Sequence, residues 1–329
     1  MADRGVFAEI QHELAEDMAK VNTLIAARMA SEHAPRIPQV TQHLVGAGGK
    51  RLRPLLTLAT ARMCGYGGDD HIKLAATVEF IHTATLLHDD VVDESAQRRG
   101  RPSANLLWDN QTSVLVGDYL FSRSFQLMVE CGSLQILDIL ANASATIAEG
   151  EVLQLTAAQD ISTTEATYLQ VVRGKTAALM AAACEVGGVV AGRPEAECTA
   201  LRAYGDALGI AFQMTDDYLD YSGAAASLGK NTGDDFRERK LTLPVIRAIA
   251  AADDTARAFW SRTIADGKQR EGDVEQAMDY LDSTGALADT RRAALDWAAK
   301  ARAALAPLPA HRLRDLLADL TDFVVARAV

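Results

Sequence analysis

Apolar residues recur along this chain with the three-to-four-residue spacing of helices, and the breaks fall at glycine, proline and short polar runs. The pattern predicts a first helix running to about Ser31, a break at Pro35 and Pro38, and a loop opened by Gly46-Ala47-Gly48-Gly49 before a helix starting at Arg53-Pro54. Residues 65–70 read as a turn, followed by a helix from about 72 to 93 and a polar loop over 94–103. Further helices are predicted over 104–130, 134–158, 164–191 and 194–221. Residues 222–239 form a long glycine-containing loop, a length usually retained for function. Leu243-Pro244 then restarts a helical pattern that continues in shorter amphipathic pieces. Central segments are apolar nearly all round and terminal ones amphipathic, which describes one bundle with the C-terminal helices packed outside.

Composition strengthens the all-α reading. Hydrophobic residues make up 49% of the chain but aromatic ones only 5%, an alanine- and leucine-rich helical balance. Apolar β-branched runs are short, as at Gly188-Val189-Val190, and no tight-hairpin dipeptide separates alternating strands. A length of 329 residues would suit one large helical unit or two ordinary domains, and the lack of any linker-like run favours a single domain over 1–329. Cys64, Cys131, Cys184 and Cys198 have no metal-ligand spacing and read as small core residues in a reducing compartment. Met1-Ala2-Asp3-Arg4 leads into a charged amphipathic helix rather than a signal peptide, and no apolar run approaches membrane-spanning length, so a cytoplasmic protein is expected.

The net charge of -11 disfavours nucleic acid as a partner. Yet basic residues cluster, at Lys50, Arg51 and Arg53, at Arg98, Arg99 and Arg101, and at Lys230, Arg237, Arg239 and Lys240. Two of those clusters follow an acidic pentapeptide. Asp-Asp-x-x-Asp occurs as Asp89-Asp90-Val91-Val92-Asp93 and again as Asp216-Asp217-Tyr218-Leu219-Asp220. On a helix, residues four apart share a face, so each motif stacks like charges that repel unless something compensates. A solvated acidic face is the alternative for either motif alone. Here each follows an apolar run, residues 77–88 and 208–214, which suits a cavity wall. Hard divalent cations would compensate; Mg²⁺ takes oxygen ligands and is commonly shared between one or two carboxylates and substrate phosphates. A diphosphate clamped between two carboxylate ladders is the expectation.

Five ordered motifs then resemble the trans-isoprenyl diphosphate synthases: Gly48-Gly49-Lys50-Arg51-Leu52-Arg53-Pro54, the first aspartate motif followed by Arg98-Arg99-Gly100, Gly174-Lys175-Thr176, Phe212-Gln213-Met214-Thr215-Asp216-Asp217, and Lys240-Leu241-Thr242-Leu243-Pro244. The run over residues 80–95 is most similar to long-chain bacterial members, the octaprenyl, solanesyl and decaprenyl diphosphate synthases of quinone side-chain biosynthesis. The resemblance implies a helical isoprenoid synthase fold around a central cavity, a homodimer, and head-to-tail 1'-4 condensation of an allylic diphosphate with isopentenyl diphosphate. It implies that Asp89, Asp90, Asp93, Asp216, Asp217 and Asp220 hold Mg²⁺, three ions with substrate bound, and that Arg98, Lys175 with Thr176, Lys230 and Lys240 contact the allylic diphosphate with Gln213 nearby. Gly49, Lys50, Arg53, His82 and Arg99 would bind isopentenyl diphosphate. One departure stands out: where many members have glycine before the late lysine, this chain has Arg239.

The chemistry explains the residue types. Ionising an allylic diphosphate creates a carbocation, so metal and basic donors must take the leaving group's charge while an apolar wall excludes water. No Ser/His/Asp or Cys/His nucleophile is needed, and His88 reads as a packed histidine. Product length should follow tunnel depth below the aspartates. Ala84, with Thr85 beside it, is too small to block a growing chain, and Phe125, Met128 and Leu140 are candidates for the tunnel floor. A long-chain product from a farnesyl or geranylgeranyl primer is therefore expected, with a short-chain synthase as the alternative. A terpene cyclase would lack the Gly49–Pro54 motif and the second complete aspartate motif, and a non-catalytic synthase subunit could lose its carboxylates. Peripheral membrane contact during product release is left open by the sequence.

Overall fold

The computed structural model describes residues 5–46, 48–98, 100–222 and 232–326. It is 77% helical, which bears out the all-α expectation. Helices α1 (Gly5–Glu13), α2 (Ala15–Met29), α3 (Arg36–Gly46) and α4 (Leu52–Met63) lead into α5 (Asp70–Val92). A short α6 (Ala104–Leu107) precedes α7 (Asn110–Glu130) and α8 (Leu134–Ala157). Next, α9 (Glu165–Val172) runs through a π turn, Arg173–Ala177, into α10 (Ala178–Val190), and α11 (Glu195–Tyr221) follows. Beyond it come α12 (Asp234–Arg237), α13 (Leu243–Ala250), α14 (Asp254–Trp260) with a second π turn, Ser261–Ala265, then α15 (Asp273–Ser283), α16 (Ala286–Ala304) and α17 (Arg312–Ala326).

The departures from the predicted boundaries have local causes. The first helix divides at Leu14, a buried residue whose φ of -108° and ψ of 13° bend the chain without breaking the hydrogen bond from Leu14 N to Ile10 O. Pro38 opens no break; it sits in the first turn of α3, where its missing N–H would have had no helical partner. The predicted helix over 104–130 is interrupted before Asn110, because the Asp109 carboxylate accepts from Thr112 N and caps α7 afresh. Within the polar loop, Gln97–Arg98 and Arg101–Pro102 pair as a minimal antiparallel hairpin.

Helix α5 runs through the centre, with Leu74, Ala75, Val78, Phe80, Ile81 and Ala84 all buried. The main apolar core gathers around it and includes Leu58, Leu120, Leu140, Leu201 and Tyr204. A second, smaller cluster is built on Tyr221, Phe236, Phe259, Trp260 and Leu281. Cys64, Cys184 and Cys198 are buried, Cys131 is half-buried, and none is paired, so they act as the core residues the sequence suggested. Among the described residues, no helix is long and apolar enough to cross a membrane.

A buried polar knot holds α2 against the centre. Arg62 on α4 donates to both Asp17 oxygens, at 2.6 and 2.7 Å, and fully buried His71 lies 3.1 Å from Asp17 Oδ2. Burial acts to raise the Asp17 carboxyl, but the hydrogen bonds from Arg62 and His71 outweigh it and hold the group below its ordinary value. Burial lowers His71, with Asp17 only partly opposing. Both groups therefore bind protons more weakly in the fold than in the unfolded chain, and acid favours unfolding. The melting temperature should decline as pH falls below 6.5, the ordinary histidine value, and again through the depressed range of Asp17. Asp17→Ala should destabilise the protein at neutral pH by about 1–3 kcal/mol, because the buried histidine and the arginine lose their acceptor. Thermal melting across that pH range checks both expectations.

Candidate active site

The first aspartate motif closes α5 at its C-terminal end, where Asp93 is the cap and its N–H donates to Asp89 O at 2.8 Å. Three carboxylates thus stand where the helix dipole is already negative, the least favourable end for them. They do not share one environment. Asp89 is half-buried and Asp93 exposed, but Asp90 is wholly buried, and its Oδ1 accepts from Arg98 Nε at 2.9 Å and Nη2 at 2.5 Å. Its other oxygen has no hydrogen-bond partner among the described residues. The small hairpin after α5 delivers Arg98 to this place. Burial pushes the Asp89 carboxyl up to about 7, and Glu151 and Asp93 push the same way against Lys175 and Arg98.

The second motif likewise occupies the last turns of α11. Asp217 is buried, with Tyr168 donating to Oδ2 at 2.6 Å and Gln213 Nε2 to Oδ1 at 2.8 Å. Burial raises Asp217 to about 6, with Asp216 and Asp220 adding to it while the Tyr168 and Gln213 hydrogen bonds oppose. Asp220 accepts from Asp235 N at 3.0 Å through its carboxylate and from Gly233 N at 2.9 Å through its carbonyl, tethering the chain that returns after α11. Asp235 is pushed up to about 8 by burial and by Asp217 and Asp220. Lys240 lies 2.5 Å from Glu238 Oε2 and 3.9 Å from Asp235 Oδ1. Burial acts to lower it, but Glu238, Asp235 and, from the first motif, Asp93 raise it above its ordinary value. The charge of Asp93 thus reaches a lysine that belongs with the second motif.

The π turn at Arg173–Ala177 joins the two halves. Such insertions are frequent at functional sites. Here Gly174 comes so close to α8 that a Cβ on it would lie 2.6 Å from Gly150 Cα; only a glycine pair permits the approach. The next residue, Lys175, pairs with Glu151 on α8 at 2.8 Å, beside Asp89. One residue further, the Thr176 hydroxyl donates to Gln213 Oε1 at 3.0 Å, extending the chain of hydrogen bonds to Asp217 and Tyr168. Among the described residues, no three His, Cys, Asp or Glu side chains close on a common metal position. The donors nonetheless fit a hard divalent cation: they are all oxygen, and they stand at two negative helix ends.

The basic stretch before α4 meets α5 at Glu79 and His82, ten and seven residues before Asp89, with His82 on nearly the same helix face as Asp89. Gly49 and Lys50 are exposed, with Lys50 Nζ 5.5 Å from the centre of the Phe323 ring. Arg51 adopts left-handed backbone (φ 52°) and its guanidinium meets the buried Glu79 carboxylate, while Arg53 Nη1 lies 3.2 Å from His82 Nε2. Arg99 and Lys230 lie outside the described residues. Below the first motif, Ala84 is buried and Thr85 half-buried, its hydroxyl turned to His82 O. Met128 and Leu140 are buried, but Phe125 is 46% exposed on the outer face of α7. His88 is half-buried, with Nε2 3.2 Å from Val114 O and so near Gly117 that a Cβ there would lie 2.2 Å from it.

Glu151, Tyr168 and Asp235 were not singled out in the sequence. Glu151 carried one signal, an acidic residue next to Gly150, and Asp235 stands in an acidic pair shortly before Lys240. Tyr168 carried none.

An all-helical framework with two aspartate-terminated helices and interleaved basic residues defines a class of prenyl-transfer enzymes. Residues 34–281 match the polyprenyl synthetase family model, and the chain belongs to that family. The octaprenyl diphosphate synthase of Escherichia coli is 43% identical over 97% of this chain and 98% of its own length. A crystal structure of a decaprenyl diphosphate synthase from Rhodobacter capsulatus is 66% identical, with a TM-score of 0.96 over 98% of this chain and 99% of that one. A Caulobacter crescentus polyprenyl synthase, solved with calcium and isoprenyl diphosphate, is 52% identical with a TM-score of 0.92 over 98% of both chains.

Tyr168→Phe should leave the buried Asp217 Oδ2 without its donor and destabilise the protein by about 1–3 kcal/mol. Denaturant unfolding of the variant beside the parent protein measures this, and an unchanged midpoint would contradict it.

Proposed function

We propose that this protein condenses an allylic diphosphate, farnesyl or geranylgeranyl, with successive isopentenyl diphosphates, head to tail, to give a long-chain all-trans polyprenyl diphosphate for quinone side chains. The observation that carries the reading is the pair of carboxylate clusters at the C-terminal ends of α5 and α11, bridged by the Lys175 and Thr176 side chains of one π turn. In this reading Asp89, Asp93 and Asp216 would be the principal ligands of Mg²⁺, three ions with substrate bound. Asp90 and Asp217 instead turn to Arg98 and to Tyr168 and Gln213, so their part is to hold the cluster in shape. Asp220 fixes the returning chain through Asp235.

Metal held there would supply Lewis-acid charge to the departing diphosphate. The protein's own residues do the rest. Lys175, Lys240 and Lys230 offer donors to the allylic diphosphate, with Arg98 and Gln213 orienting the carboxylates beside it. Arg53, His82, Lys50, Gly49 and Arg99 receive isopentenyl diphosphate, with His82 two turns before Asp89 on nearly the same face of α5. The aliphatic wall keeps water from the cation. The last proton passes to the departed diphosphate, so no side-chain base is required. Residues 1–329 work as one synthase unit in the cytoplasm, with a membrane surface receiving the product.

An exposed apolar stripe on α7 and α8 supports a homodimer; Leu115, Phe125, Val129 and Leu134 are 67%, 46%, 66% and 82% exposed. Sedimentation giving the mass of one chain would count against that pairing. Phe125 then belongs to this outer face, which leaves Met128 and Leu140 as the floor of the tunnel.

Incubation with Mg²⁺, farnesyl diphosphate and isopentenyl diphosphate should give a ladder ending in one long prenyl diphosphate. A ladder that stops after one addition would mean a short-chain synthase, and a cyclic hydrocarbon or no product would overturn the reading. Ala84 lies five residues before Asp89, about 7.5 Å along the helix axis. Ala84→Phe should therefore shorten the product by several isoprene units, and unchanged length would refute the tunnel assignment. Asp216→Asn should lower kcat by roughly 10²–10³-fold, as loss of one preorganised electrostatic partner does elsewhere.

A further inference from the structure

The turn that carries Lys240 is held by an unusual residue. Helix α12 ends in a pair of reverse hydrogen bonds, Arg239 N to Phe236 O and Lys240 N to Asp235 O, both 2.9 Å. That pairing is the Schellman termination, and its corner residue takes left-handed backbone, the usual place for glycine. The corner is Arg239, at φ 60°. A residue with a Cβ adopts that conformation only at a cost, so its surroundings must impose it.

They do so through the guanidinium. Arg239 Nε donates to Ile264 O at 2.7 Å, and Nη2 donates to Ala265 O at 2.6 Å and to Gln159 Oε1 at 2.7 Å. The two carbonyls belong to the π turn after α14, and Gln159 stands just past the end of α8. Gln159 is itself left-handed, at φ 64°. The arginine also crosses Gly267 so closely that a Cβ there would lie 2.7 Å from its Nη1. Three segments therefore meet on one side chain. Anchoring of α12 in the smaller core does not need it, because Phe236 is already buried against Phe259 and Trp260 with ring centres 6.2 Å apart in each pair. What Arg239 adds is the direction of the next residue, and a fixed link from it to α8, whose Glu151 pairs with Lys175.

We propose that Arg239 is a positioning residue that sets Lys240 toward the allylic diphosphate, taking the place of the relaxed glycine corner and coupling that corner to α8 and the π turn. The proposal rests on the synthase reading for its substrate and on geometry alone for the clamp. Arg239→Gly relaxes the backbone while removing the clamp, so the variant should fold and melt close to the parent protein. Its KM for the allylic diphosphate should rise roughly tenfold while that for isopentenyl diphosphate stays within about twofold, as a misplaced donor predicts. Amide exchange over residues 232–242 should quicken by roughly tenfold if a charged hydrogen-bonded tether is lost. Arg239→Lys should restore part of the KM, and Gln159→Ala should shift it in the same direction by less.

Unchanged KM values in Arg239→Gly would overturn the positioning role. So would KM values and kcat that worsen together in step with a lowered melting temperature, and unchanged exchange would overturn the clamp. A parent protein that forms no prenyl diphosphate would sink the synthase reading instead, and the exchange comparison would still decide the clamp.

Discussion

Two helices in this bundle end in carboxylate clusters at the pole where the backbone dipole already places negative charge. Neither α5 nor α11 gains anything from such an ending by itself, and the apolar surroundings raise the cost of every charge they hold. The rest of the site answers that constraint in two ways. The innermost carboxylates, Asp90 and Asp217, are met by fixed protein donors. Of the outer ones, Asp89 feels Lys175 and Asp93 feels Lys240, and there an oxygen-seeking cation and an anionic substrate fit the same electrostatic demand. Burial and mutual repulsion raise Asp89, Asp217 and Asp235 together, because each carboxylate charge is costly beside the others.

A single irregularity links the clusters. An uninterrupted α-helix would present Lys175 and Thr176 about 100° apart on a regular spiral. The π turn at Arg173–Ala177, pressed against α8 through the Gly150–Gly174 contact, sends the lysine to Glu151 beside Asp89 and the threonine to Gln213 beside Asp217. Disturbing this one turn would be felt at both motifs. The second π turn, Ser261–Ala265, has a comparable part further out, since its end offers the carbonyls that hold Arg239. Irregular backbone in this protein is thus concentrated where side chains must be aimed rather than merely packed.

The aspartate motifs and the Arg239 clamp draw on different residues. The match to the polyprenyl synthetase family spans residues 34–281 and so takes in the long central helices α5 and α11 with both aspartate motifs. Arg239 sits in the chain between Phe236 and Leu241 of the smaller apolar cluster and is held by Gln159 just past α8. A change there can tune the approach of a substrate without touching the carboxylates.

Much of this was legible in the sequence. Helical periodicity located α5, α8 and α11 to within a few residues, and the doubled Asp-Asp-x-x-Asp pattern marked the site, because both signals are carried by residues close together along the chain. The unlike fates of the aspartates were not legible. Nothing local distinguishes Asp90 from Asp89, yet one is sealed beneath Arg98 and the other borders Glu151 and Lys175. Nor did spacing reveal that Phe125 faces outward while Met128 faces in, that Tyr168 supports Asp217 from 49 residues away, or that Arg239 is held by Gln159 from 80 residues away. The sequence by itself determined the helices, the two acidic clusters and the family, since periodicity and motif spacing are properties of neighbours in the chain. Which oxygens meet protein donors, and which carboxylates come under the influence of a lysine, was decided by tertiary packing alone, since burial and hydrogen bonding depend on residues that only the folded chain brings together.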